Sequence, residues 1–434
     1  MTKKLLFVSL LSLSQLSFAD DLSSVYQQAL RSDPNLAAAR LQVELSESQQ
    51  AQAGGALLPQ VSASVNISYN NRNIESQVGG DTEYMGQRYS VSLTQPIIDV
   101  AKFYNWQRYQ SLTSKSTADF QQAQQVLLYD VTERYFQVLA AQDSLELVNQ
   151  ETSTTEKQLE QFRQQYAKQL IKITDIYELE AKLDALVAEK IEVETQIDIA
   201  KQGLMELTGT PLNTLATLRN DIKFQLLSGD AKTVAIQAQQ SSPLILAEQQ
   251  AVEAADNDLI SQHARHLPSV DLQLQYYNTD NGFQNSQTPV IDTKVAAINV
   301  TIPLFSGGST YQRAAEAAKQ LEISKQRKIS LLRSVEKETR DAFLSANASV
   351  RRIAASEKAL KTATKAREAM EKGFKFGMQS IGDVLVSQAR EYSARKDLRD
   401  VKYTYILNRI RFQRAIGTLN HQSLDEINQW LVHK

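Results

Sequence analysis

The chain has 434 residues, no cysteine, 47 basic against 49 acidic side chains and 22% charged residues, so it must hold itself together by packing or assembly rather than by disulfides. A net charge of −2 gives it no basic surface for a nucleic-acid partner. It also lacks a phosphate loop, an HExxH motif and a nucleophile–base set, and His263 and His266 stand without a third donor, so neither an enzyme nor a cofactor or metal is expected.

The N-terminus carries Lys3 and Lys4, an apolar stretch from Leu5 to Phe18, and small residues around Ala19, the pattern of a cleaved secretory signal peptide over residues 1–19. No cysteine follows it to take a lipid anchor. Beyond it the chain repeats itself. Val25 to Pro59 aligns without gaps on Val234 to Pro268, so that Pro34 meets Pro243 and Pro59 meets Pro268 at a constant offset of 209 positions (243 less 34; 268 less 59). With small slips the match continues through Pro96 and Pro303, Asp175 and Asp383, and Gly209 and Gly417. The expected halves are residues 20–230 and 231–434, each reading helix, strand, loop, strand, long helices.

In the first half, Val61, Ala63, Val65, Ile67 and Tyr69 alternate with Ser62, Ser64, Asn66, Ser68 and Asn70, a period of two that predicts a strand near 61–70. Tyr89, Val91 and Leu93 predict another near 88–96, after a polar loop from Asn71 to Gln87. Val100 to Gln150 contains neither Gly nor Pro and would run roughly 75 Å as one helix. Ile176, Leu179, Leu183, Leu186, Val193, Ile197, Ala200, Leu204 and Leu207 then follow a 3-4 spacing, a coiled-coil seam with Lys190 in one slot.

The second half predicts strands near 269–278, from Val270, Leu272, Leu274 and Tyr276, and near 293–303, from Ala296, Ile298, Val300 and Ile302, with a polar loop from Asn278 to Asp292 between them. Prolines bound the strands in both copies: Pro59 and Pro268 where they start, Pro96 and Pro303 where they end. Gly307-Gly308 reads as a turn rather than a dinucleotide fingerprint.

A soluble antiparallel sheet alternates in the same way. Here, however, the apolar stripes of the helices are used in their own seams, which leaves lipid to cover the apolar face of the strands. Tyr69, Tyr84, Tyr89, Tyr276, Tyr277 and Phe283 either form an aromatic girdle at the strand ends or sit there because aromatics favour strands. Four strands cannot close a barrel, and an open edge in lipid strands unpaired backbone groups, so further copies must complete it. Two copies or three would serve.

The order of elements, the duplication, and the paired segments Tyr166 to Asp175 (YAKQLIKITD) and Phe374 to Leu385 (FKFGMQSIGDVL) resemble the TolC family of outer-membrane export ducts. Leu58-Pro59-Gln60, Leu267-Pro268-Ser269, Pro303 to Gly308 (PLFSGG) and Ala415 to Asn420 (AIGTLN) extend the resemblance over the mature chain. It implies an α+β membrane protein: a homotrimer with a twelve-stranded β-barrel in outer-membrane lipid, four strands per chain, continuous with a long periplasmic α-helical coiled-coil barrel. Thr208 to about Asp230 and the tail 418–434 would lie in an equatorial belt. The implied function is the exit duct of a tripartite efflux pump or type I secretion system, with a periplasmic adaptor (membrane fusion) protein and an inner-membrane transporter of RND, ABC or MFS type as partners. The alternative is a soluble periplasmic coiled-coil scaffold.

By the same resemblance, Asp383 lines a narrow periplasmic entrance as a ring of carboxylates, and Asp175 latches it or caps the helix that follows. Spacing alone lets both aspartates serve as helix N-caps. Gln379 stands where the family often has a basic latch residue, Phe374 where it has a Tyr, Val386 where it has a second acid, and Gln169 where it has a Gly. Packing, with one acidic ring, is therefore expected to hold the entrance. The turns around Gln169 and Leu170, and around Gly377 and Met378, are the expected adaptor-docking points. Gly377 also suits a helix C-cap.

Overall fold

A computed structural model describes residues 21–72, 82–212, 214–219, 221–280 and 290–432. The expected signal peptide, most of both polar loops and Phe283 lie outside the described residues. The order is α1 (Leu22–Ser32), α2 (Pro34–Gly55), β1 (Gln60–Arg72), β2 (Thr82–Ile98), α3 (Val100–Ala167), α4 (Ile173–Thr208), β3 (Thr217–Leu218), α5 (Ala231–Ser241), α6 (Pro243–Ala264), β4 (Ser269–Thr279), β5 (Ile291–Thr301), α7 (Ser309–Lys375), α8 (Ile381–Ala415), α9 (His421–Asn428) and β6 (Leu431–Val432). The duplication is explicit: α1, α2 and β1 recur as α5, α6 and β4 at the offset read from the prolines. Pro34 and Pro243 open α2 and α6, where a missing N–H costs the helix nothing.

Spatially the chain forms two compact units that cut across the repeats. A hairpin unit gathers the residues up to Ala37, Ala123–Ser242 and those from Val335 onward; a sheet unit gathers Ala38–Gln122 and Pro243–Ser334.

In the sheet unit the four strands are antiparallel in the order β1-β2-β4-β5. The register sorts side chains by face. Val61, Val65, Val91, Leu274, Ile298 and Val300 share one face, and Val65, Ile298 and Val300 are 62%, 71% and 58% exposed there. The other face carries Ser62 bonded to Ser92 at 2.8 Å, Ser64 to Ser90 at 2.7 Å and Asn299 to Gln273 at 2.9 Å. Arg88 lies over the Tyr277 ring at 4.3 Å on that polar face. One face of the sheet is thus apolar and exposed, and the other is polar and hydrogen-bonded along the ladder.

Two expectations need correction. β2 begins at Thr82, not near 88: the ladder continues through Ile67–Gln87, Tyr69–Met85 and Asn71–Glu83. Once β1 supplies partners, polar residues extend a strand as readily as apolar ones, because ladder bonds belong to the backbone. Tyr84 therefore sits inside β2. Pro96 likewise lies within β2, which runs on to Ile98, and its missing N–H is absorbed by a register shift between Pro96 and Ile98. Pro59 and Pro268 immediately precede β1 and β4, and Pro303 follows the end of β5.

In the hairpin unit the long helices pack through narrow seams. Ile176, Leu179, Leu186, Val193, Ile197, Leu204 and Leu207 of the expected α4 stripe are buried. The tail returns to the segment after α4, where β6 pairs with β3. Tyr135, fully buried, donates its hydroxyl to the Ala216 carbonyl at 3.1 Å.

Candidate functional site

Two helix hairpins turn over in the same way. At the first, the Leu170 N–H donates to the Gln165 carbonyl at 3.0 Å and the Gln169 N–H to Tyr166 at 2.7 Å. At the second, Met378 donates to Gly373 and Gly377 to Phe374, both at 2.9 Å. These are Schellman caps, which need a left-handed residue one step beyond the cap. Gly377 supplies it at φ 73°; Gln169 supplies it at φ 60°, the positive-φ non-glycine residue among the described residues. Gly377 is thus a C-cap glycine, as expected.

The N-cap of the next helix comes three residues after the left-handed one in both copies, and here the aspartates find their place. Neither is the N-cap itself: Lys172 and Ser380 are, and Asp175 and Asp383 occupy the third helical position. The Asp383 carboxylate accepts from the Ser380 N–H at 3.0 Å and the Ser380 hydroxyl at 2.7 Å, while the Asp383 N–H donates to Ser380 Oγ at 3.2 Å. That is a reciprocal capping box. The Asp175 carboxylate accepts from the Lys172 N–H at 3.1 Å, but the lysine side chain has no acceptor to return, and the Asp175 N–H donates instead to the Lys172 carbonyl at 3.2 Å. The Ser380 hydroxyl, and then its N–H, hold the Asp383 carboxyl below the usual carboxylate range. Asp383 stays exposed and charged.

Between the hairpins lies a small apolar core. Leu159, Phe162, Ile176 and Leu179 from α3 and α4 meet Ile381 and Val384 from α8, with Met370 and Phe374 of α7 packed against them. Phe374 stacks on Phe162 with centroids 5.7 Å apart and planes at 10°. Phe374 therefore faces the partner hairpin, half-buried. Gln379 folds back over its own helix: a Cβ added at Gly373 would come within 2.8 Å of Gln379 Cγ. At the turns, Leu170, Phe376 and Met378 are 69%, 77% and 69% exposed.

Behind this core runs a polar chain across all four helices. Glu151 on α3 pairs with Lys182 on α4 at 2.6 Å, and Lys182 donates to Gln388 on α8 at 3.0 Å. Gln388 donates to Glu371 on α7 at 3.2 Å, and Glu371 accepts from Arg367 at 2.8 Å. The nearly buried Glu391 accepts from Arg367, from Arg395 at 2.6 Å and from Thr364 at 3.0 Å. Burial pushes the Glu391 carboxyl up, but the hydrogen bonds from Arg367, Arg395 and Thr364 outweigh it and hold it below its ordinary range. Sequence reading found the turn residues but missed Phe162, Glu391 and this chain. The Ile176–Leu179 spacing marked one side of the core; its partners Ile381 and Val384 lie some 200 positions away, beyond any local signal.

A repeated pair of capped helix hairpins, joined to a four-stranded sheet that is apolar on its outer face, has a counterpart among known proteins. The sequence profile of the outer membrane efflux protein family matches residues 25–210 and again 234–418. This chain belongs to that family. Outer membrane protein TolC of Vibrio cholerae serotype O1 is 30% identical over 438 residues, covering 99% of each chain. The protease secretion protein PrtF of Dickeya chrysanthemi is 26% identical, over 99% of this chain and 95% of its own. The Campylobacter jejuni CmeC outer membrane channel shares the fold with a TM-score of 0.81, at 16% identity over 95% of this chain and 90% of that one.

The family member described here is thus an outer-membrane protein reaching into the periplasm, a non-enzymatic exit duct whose barrel is completed by three copies. The strand order fits: β1 and β5 are free edges, running in opposite directions, so a neighbour's β1 continues the antiparallel ladder from β5. A soluble scaffold would leave the apolar sheet face uncovered in water.

Proposed function

We propose that the two hairpin turns form the periplasmic entrance of the duct, with Asp383 as a single acidic ring and Leu170, Met378 and the backbone at Gln169 and Gly377 as docking points for a periplasmic adaptor. The duct would deliver substrates from an inner-membrane transporter of RND, ABC or MFS type acting through that adaptor. The observation that carries this reading is the exposed, capped and charge-stabilised Asp383 carboxylate, beside apolar side chains left bare on both turns. A ring of acids on a threefold axis concentrates negative potential and attracts multivalent cations. Phe374 stacked on Phe162, with Gln379 folded over Gly373, supports closure by packing rather than by a basic latch. Asp175 would act in closure only through its cap on α4.

We read the repeats as 20–230 and 231–434, with the 418–434 tail in an equatorial belt; the β3–β6 pairing supports that place for the tail. The test of the entrance is single-channel conductance in planar bilayers. Asp383→Asn should weaken block by trivalent cations; unchanged block would remove Asp383 from the constriction.

A further inference from the structure

The cavity at the junction of sheet and helices is the feature of the sheet unit that the duct reading leaves unused. It measures about 480 Å³ and lies where β2 passes into α3, α6 into β4, and β5 into α7. Asp99, Lys102, Arg265 and Arg313 line it, with Ser269 and Thr301, the last ladder pair of β4 and β5, at its rim.

The charges there do not cancel. Asp99 is committed locally: its carboxylate caps α3 by accepting from the Lys102 N–H at 2.9 Å, and it pairs with the Lys102 ammonium at 3.2 Å. Arg265 and Arg313 are exposed, and among the described residues neither has a carboxylate partner. Two guanidinium groups therefore line one cavity with no carboxylate among the described residues paired to them. A guanidinium fork matches phosphate oxygens in pairs, and two such groups lining one cavity, with hydroxyls nearby, supply the charge and the donors that a phosphate takes.

This is the end of the sheet where the apolar face stops, at Ile98, Val270 and Val300. Immediately beyond it Leu304 and Phe305 are 92% and 89% exposed and Leu267 is half exposed. Bare apolar side chains next to unpaired cations mark a membrane–water boundary, where acyl chains and head groups are both within reach. We infer that Arg265 and Arg313 hold a phosphate-bearing group at this junction, the head group of a phospholipid in the periplasmic leaflet being the source that the neighbouring apolar residues favour.

The test is native mass spectrometry of the detergent-solubilised trimer, titrated with phosphatidylglycerol, with diacylglycerol, or with inorganic phosphate alone. Wild type should retain phosphatidylglycerol and not diacylglycerol. The Arg265→Gln/Arg313→Gln double variant should bind it roughly tenfold or more weakly, as expected for losing charge-assisted hydrogen bonds. The Arg265→Lys/Arg313→Lys variant, which keeps the charge but not the fork, should fall between; the trimer mass in the same spectra confirms that each variant assembles. Binding of inorganic phosphate without lipid retention upholds the site and assigns it to a soluble anion. Equal retention of both lipids, or full retention by the Gln variant, overturns it.

Discussion

Phe374→Ala is the most informative single change at the entrance. Truncating a fully buried Phe costs about 3–5 kcal/mol. Phe374 is only half-buried, so about half of that applies, roughly 2 kcal/mol, including the 0.5–1.5 kcal/mol or so that a well-placed aromatic pair adds. The loss falls on the contact between the hairpins, because Phe162 belongs to α3 and the ring stacked on it to α7. Local opening of the tips should become roughly 30-fold more frequent, at about 1.4 kcal/mol per tenfold. Hydrogen exchange on peptides covering 159–180 and 370–385 would read this directly, with the sheet unit as an unaffected internal reference. Phe374→Leu, which keeps much of the volume and loses the stack, should cost about 1 kcal/mol. If Phe374→Ala changed exchange at the tips by less than about twofold, the apolar core would not be what joins the hairpins, and the packing account of closure would fail.

Other outcomes follow from the same geometry. Gln169→Gly relieves a left-handed side-chain conformation and should stabilise the first hairpin by about 1 kcal/mol, whereas Gly377→Gln should destabilise the second by a similar amount, both measurable as tip exchange rates. Glu391→Ala leaves Arg367 and Arg395 without their shared carboxylate; since both arginines are partly exposed, the cost should be about 2 kcal/mol, below that of a fully buried pair, read as exchange in peptides 360–396. The Glu391 carboxyl is depressed, so its contribution is complete above the ordinary 4.5 and is lost as pH falls through the lower folded value; tip protection, corrected for intrinsic exchange, should stay level at neutral pH and decline only in acid. Glu391→Gln should remove that acid decline.

How far the sequence could be read depended on whether a feature was local. The β-strand faces were legible because alternation at Val61, Val65, Val270 and Val300 is set by neighbours in the chain, and the register keeps those residues on one face. The α4 seam was legible for the same reason, since Ile176 through Leu207 repeat within one helix. The start of β2 was not: Glu83 to Gln87 carry no alternation strong enough to mark a strand and are drawn into one by partners in β1. The aspartates were correctly associated with helix starts but placed one turn too early, because Asp serves both at the N-cap and at the third position, and only the neighbouring Ser380 and Lys172 decide which. The stack of Phe162 on Phe374 and the Glu151–Lys182–Gln388 chain join positions on separate hairpins, and no local pattern encodes them.

The account rests on the outer face of the sheet meeting acyl chains while its inner face meets water. Because the chain has no native cysteine, single cysteines can be placed freely along β1 and β2. Val61→Cys, Val65→Cys and Val91→Cys should resist a water-soluble maleimide and, once labelled with a fluorophore, be quenched by a lipid-borne quencher. Ser62→Cys, Ser64→Cys and Ser90→Cys should show the reverse, residue by residue along the ladder. Equal labelling of both sets by the water-soluble reagent, with no quenching from the lipid, would contradict the barrel and with it the duct.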